Sequence, residues 1–145
     1  MAGILTVFRD TLVNKWRTMP ETVVDLTGRT VIVTGSNVGL GFEVAKRFHE
    51  MNPARLILAV RTPTKGEAAK KAILEAAAGK GKEAVAGRAE ETVVEVWQLD
   101  LSSFESVRQF AKRCESELDR VDILLENAAS QAPRWTVTKD GWELE

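Results

Sequence analysis

Short apolar runs rich in β-branched residues alternate with amphipathic stretches along this chain. "RTVIVTG", "ARLILAV", "TVVEVWQLD" and "RVDILLENAA" have strand character, and a helical pattern follows each of the first three. Continuous apolar runs of this length suit strands buried on both faces. Strands separated by helices pair in parallel through right-handed crossovers. The order predicts a doubly wound parallel α/β sheet, incomplete, with about four strands and their crossover helices.

The helical stretches carry their own signals. The first places Leu40, Val44, Phe48 and Met51 on one stripe. In the second, Ala68, Ala69, Ala72, Ile73 and Ala76 share a face, Thr62 suits a cap and Pro63 suits the first turn. The third, "SSFESVRQFAKRCESEL", sets Phe104, Val107, Ala111, Cys114 and Leu118 at helical spacing. Ser102 and Glu105 there have capping-box spacing. "GKGKEAVAGRAEE" reads as a polar, exposed connection.

Composition narrows the function. The chain has 145 residues, 44% of them hydrophobic, enough for one domain with a core. A net charge of −1 argues against a nucleic-acid partner, because phosphate binding needs a basic surplus. The single cysteine, Cys114, excludes an intrachain disulfide and fits a reducing, cytoplasmic setting. Residues 1–23 form an N-terminal extension ahead of a domain over residues 24–145. In that extension Ile4, Leu5, Phe8, Leu12 and Trp16 recur at helical spacing beside Arg9, Lys15 and Arg17. Two readings stand: a short helix packed on or loosely attached to the domain, and weak peripheral membrane attachment through residues 1–17.

"VIVTGSNVGLGFEVAKRF" is the most informative stretch. A strand runs into a glycine turn, and an amphipathic helix starts at once. A helix start offers unpaired N–H groups and a positive dipole end to an anion. Gly35, Gly39 and Gly41 let the backbone turn tightly and approach a pyrophosphate. Leu40 lies between two of them. Many dinucleotide sites carry an acidic residue about 20 residues further on, which binds the ribose 2′-hydroxyl. Here "LILAVRTPT" has no acid and offers Arg61, which favours the 2′-phosphate of NADP. Ser36 and Asn37 can add hydrogen bonds to the same phosphate.

Together these residues resemble the short-chain dehydrogenase/reductase family, in its NADP-preferring, retinol-dehydrogenase-like branch or its fungal secondary-metabolism type. "TGSNVGLG" is similar to that family's TGxxxGxG, and "LDLSS" resembles its adenine-contacting Asp-Leu pair. "ENAAS" resembles its Asn-Asn-Ala-Gly, with Glu126 and Ala129 as departures. "TKDGWELE" looks like the segment leading into its next long helix. The resemblance implies a Rossmann-like fold and NADP(H). Gly35, Gly39 and Gly41 would surround the pyrophosphate, with Ser36, Asn37 and Arg61 on the adenosine phosphate. Asp100 and Leu101 would contact adenine. Asn127 would brace the sheet, and Ala128 would run along the ribose.

The family's hydride transfer resembles a Tyr-x-x-x-Lys pair working with a Ser on a small carbonyl or alcohol substrate. The sequence has no tyrosine, so no catalytic residue is assigned. Nor is Ser130 that serine, since it follows the fourth strand. His49 reads as a surface residue and Cys114 as core. No His, Cys or carboxylate cluster has metal-ligand spacing, so no metal is expected. Two functions stay open: the N-terminal, cofactor-binding part of a truncated or longer oxidoreductase, and a non-catalytic NADP(H)-binding module. An open fourth-strand edge predicts marginal stability or an oligomer.

Overall fold

The structure, a computed structural model, describes residues 24–79, 91–130 and 134–144. The expected extension and most of the polar connection lie outside the described residues. Strand β1 (Thr30–Thr34) is followed by helix α1 (Gly39–Glu50), β2 (Arg55–Val60) and α2 (Pro63–Gly79). Then come β3 (Val93–Gln98), α3 (Phe104–Glu117) and β4 (Ile123–Leu125). All pairings are parallel, in the order β3-β2-β1-β4. This is the Rossmann-like α/β arrangement that the alternating pattern predicts. Strand order reverses at β1, which opens a crevice beyond the C-terminal ends of β1 and β4.

The central strands β1 and β2 bury both faces, and the period of two divides the core. Val31, Val33, Leu56, Leu58 and Val94 meet Ala45 of α1 and Ala69 and Ile73 of α2 on one face. Ile32, Ile57, Ala59, Trp97 and Leu99 meet Phe110, Cys114 and Leu118 of α3 and the turn after it on the other. Trp97 is held on three sides. Phe110 stands edge-on at 5.7 Å, the Arg113 guanidinium lies 4.0 Å over the ring, and the indole N–H donates to Glu95 Oε2 at 3.0 Å. Burial pushes the Cys114 thiol up, consistent with a packing role.

Helix faces depart from the sequence expectation in instructive ways. On α1 the buried positions are Gly41, Ala45 and His49, while Leu40 is 80% exposed. Small residues meet the sheet and let the helix approach closely, while Phe48 and Met51 of the expected stripe pack half-buried at the side of the same core. The expectation of a surface His49 is thereby corrected, because its side chain is 3% exposed. On α2 the buried set is Gly66, Ala69 and Ile73, and Ala68 and Ala72 face out. A Cβ at Gly66 would stand 2.5 Å from Val96 Cγ1 and 2.7 Å from Val60 Cγ2, so a side chain there has no room. The cap of α3 is Ser103, whose Oγ accepts from the Ser106 N–H at 3.3 Å, one residue beyond the expected Ser102.

Asp122 ties the start of β4 to β1. It accepts from the Arg29 guanidinium at 2.8 Å, the Thr30 N–H at 2.9 Å and the Arg120 Nε at 2.9 Å. The segment "TKDGWE", which the resemblance places ahead of a further helix, forms a tight antiparallel turn. Val137 bridges Glu143, the Thr138 N–H donates to the Trp142 carbonyl at 2.7 Å, and Gly141 has φ +82°. Asp-Gly is a pair suited to such a turn, because glycine takes the positive φ without strain.

Candidate functional site

The end of β1 and the exit of β4 are knitted into one platform. Thr34 Oγ1 accepts from the N–H of Asn127 at 2.9 Å and of Ala128 at 3.0 Å, and donates to the Leu125 carbonyl at 3.3 Å. Asn127 Nδ2 donates to the Thr34 carbonyl at 3.0 Å and to that of Gly35 at 3.4 Å. The Gly35 N–H donates to the Ala59 carbonyl at 2.8 Å. The glycine turn is therefore fastened to both neighbouring strands.

Two glycines are required by this closeness. Gly35 has φ +64°, and a Cβ there would stand 2.9 Å from Ala128 Cα. A Cβ at Gly41 would overlap Asn127 Nδ2 and stand 2.5 Å from the Gly35 carbonyl oxygen. Glycine removes both conflicts. α1 then begins with Val38 at its cap position, no side-chain cap and no acidic residue in the first turn. Its early N–H groups are left for a ligand or solvent.

The platform floors a cavity of about 430 Å³. Gly35, Asn37, Leu40, Gly41, Arg61, Asp100, Leu101, Asn127 and Ala128 line it, so most of the residues singled out in the sequence are brought together. Two are not on its wall. Gly39 opens α1 behind the turn, with φ +63°. Ser36 is fully buried, and its Oγ has no hydrogen-bond partner among the described residues. Its hydroxyl therefore does not share the wall with Asn37 and Arg61, because the turn points this side chain into the protein.

Asp100 closes one end of the cavity. Its Oδ1 accepts from the Ser102 hydroxyl at 2.6 Å and the Ser102 N–H at 3.0 Å. The Ser102 hydroxyl chiefly holds this carboxyl below the usual carboxylate range, against the opposing effect of burial, with smaller help from Arg61 and Lys139. The residue thus shapes the turn into α3 and presents negative charge to the cavity, with cationic Arg61 on the same wall.

The sequence reading missed Thr138, Glu143 and Leu144, which reach the wall from the other end of the chain. Asp140-Gly141 signals their turn, but nothing local tells where it docks. Ser130 also lines the cavity, beside Ala129. Among the described residues, no group of three or more His, Cys, Asp or Glu is placed to hold a metal ion, and no helix is long and apolar enough to cross a membrane.

Residues 29–143 match the family model described as short chain dehydrogenase. A short-chain dehydrogenase of Aspergillus ruber is 42% identical over 137 residues, covering 94% of this chain and 36% of the relative. A short chain dehydrogenase of Alternaria solani is 39% identical over 143 residues, covering 99% of this chain and 45% of the relative. Among solved structures, the menthone neomenthol reductase from Mentha piperita superposes with a TM-score of 0.57 at 30% identity, over 72% of this chain and 32% of that one. The reductase YwfH of bacilysin biosynthesis shares the fold, with a TM-score of 0.59 at 24% identity, over 79% of this chain and 40% of that one. The chain belongs to the short-chain dehydrogenase family. It spans less than half the length of these curated relatives.

Proposed function

We propose that this chain is the NADP(H)-binding portion of an oxidoreductase that moves hydride between nicotinamide and the carbonyl or alcohol of a small molecule. The observation that carries this reading is the uncapped start of α1 on the wall of a cavity that also holds Arg61. Backbone N–H groups at a helix start suit a pyrophosphate, and a guanidinium suits a phosphate monoester. The donor set and the close-packed Gly35 and Gly41 fit such a group.

In this reading Gly35, Gly41 and the first turn of α1 hold the pyrophosphate. Arg61 and Asn37 take the 2′-phosphate, Asp100 and Leu101 flank the adenine, and Ala128 runs beside a ribose. Bound NADPH supplies the hydride. The sequence contains no tyrosine, so the family's tyrosine-dependent proton transfer is not assigned to this chain. The second reading is an NADP(H)-binding module without catalysis of its own.

Titration with NADPH and NADH tests the first reading. The chain should bind NADPH more tightly. Arg61→Asp should weaken NADPH by about tenfold to a hundredfold, the scale of a lost charged hydrogen bond, and change NADH little. Equal losses for both would remove the 2′-phosphate role. No binding of either would sink the reading.

A further inference from the structure

The antiparallel turn over residues 136–144 is a self-contained unit. The Trp142 N–H donates to Thr138 Oγ1 at 3.2 Å, the Gly141 N–H to the Thr138 carbonyl at 3.0 Å and the Leu144 N–H to the Thr136 carbonyl at 3.0 Å. It meets the rest of the protein at the start of α3. There the Asp140 carboxylate accepts from the Phe104 N–H at 2.7 Å, across 36 residues of sequence. The Trp142 ring stands edge-on to Phe104 with centroids 6.1 Å apart. A carboxylate at a helix start gains from both the free N–H and the dipole.

This contact has a consequence for the cavity. Thr138 and Glu143 line both the main cavity and a smaller recess of about 340 Å³ beside it, which also includes Asp140, Phe104 and Trp142. Leu101 and Ser102 border both spaces as well. The turn therefore forms the outer wall at the Asp100 end. Trp142 is 65% exposed, so little burial holds the wall in place besides the Asp140 contact and one ring edge.

We propose that Asp140 is a positioning residue that latches this turn onto α3, so that the turn walls in the adenosine end of a bound dinucleotide. The inference rests on the NADP(H) reading above and adds to it an element from the far end of the chain. Asp140 touches no ligand in this scheme. It acts through Thr138, Glu143 and Leu144, and its loss should act on retention of the nucleotide.

The test uses the 145-residue chain. NADPH dissociation is followed by displacement, and adenosine 2′,5′-bisphosphate affinity by titration, for wild type, Asp140→Ala, Asp140→Asn and Trp142→Ala. Amide exchange is read at Phe104 and at Ile32 in β1. Asp140→Ala should speed NADPH release and weaken the bisphosphate by about tenfold each. Asp140→Asn, which keeps an acceptor oxygen, should recover part of both, and Trp142→Ala should shift both in the same direction by less. Phe104 exchange should accelerate while Ile32 stays protected. Unchanged release with a deprotected Phe104 amide would overturn the latch and leave the NADP(H) reading intact. Weakened binding with Ile32 also deprotected would mean general unfolding and overturn it too. Wild type failing to bind either ligand would overturn the NADP(H) reading itself, and the latch with it.

Discussion

Helix α1 begins on the wall of the main cavity and α3 on that of the recess beside it, yet their first turns are finished differently. α1 starts at Val38 with no side-chain cap and no acid in its first turn. α3 starts at Ser103, whose hydroxyl caps it. Glu105 lies in its first turn, and Asp140 takes its Phe104 N–H from a distant segment. Caps use the N–H groups that an external anion would use. A protein-supplied carboxylate at α3 leaves little for a ligand there. An apolar residue at the α1 cap position forgoes roughly 1 kcal/mol of helix stability and leaves the donors available. The difference separates a helix start that closes the protein's own structure from one whose N–H groups stay available to an anion.

The largest test of that contrast is to disturb the open start itself. Gly41→Ala would place a Cβ against Asn127 Nδ2 and the backbone carbonyl of Gly35, and the backbone group cannot swing aside. Overpacking of this kind costs about 1–3 kcal/mol, and NADPH affinity should fall by up to about a hundredfold. Thermal unfolding and NADPH titration read the two effects. A variant with wild-type stability and binding would show that the tight platform is dispensable.

A gentler experiment moves the α3 solution onto α1. Val38→Asp should supply the missing cap and raise stability by about 1 kcal/mol. The same carboxylate should repel a pyrophosphate and weaken NADPH by about tenfold. Opposite signs for stability and binding would sharpen the comparison. Gains in both would break it.

The smallest expected effect lies away from both helix starts. Asp122 is held far below its ordinary carboxylate value of 3.8, first by the Arg120 guanidinium and then by the Thr30 N–H and Arg29. A lowered folded-state pKa contributes stability that is complete above the unfolded value. That contribution is lost as pH falls below about 3.8 toward the folded value. Asp122→Asn should therefore flatten the acid limb of a stability–pH profile below about pH 4 and leave NADPH binding at neutral pH unchanged. An unaltered acid limb would remove Asp122 from the account.

Much of the fold was legible in the sequence because its signals are local. Apolar runs of strand length, Pro63 at a helix start, and a glycine turn between strand and helix each depend on a few neighbouring residues. Asn127 and Asp100 were singled out through the family resemblance, and Asp100 also lies at the C-terminal end of a parallel strand, where such folds bind ligands. The helix faces were less legible. Leu40 stood both on the expected apolar stripe and among the cofactor glycines, and it lines the cavity, whereas His49 looked exposed and is buried. Periodicity fixes the angle between side chains, but not which stripe faces the sheet. Gly41 and Ala45 decided that for α1 by allowing close approach.

The order of strands and helices, their parallel sense and the anion-suited glycine turn were determined by the sequence alone, because backbone propensity and short-range spacing suffice for them. Only the tertiary structure decided that Ser36 turns inward, that Ser103 rather than Ser102 caps α3, and that Asp140 reaches Phe104. The reason is physical. Each of these depends on which surfaces meet after the chain has closed on itself, and no local pattern records contacts between residues as far apart as Asp140 and Phe104.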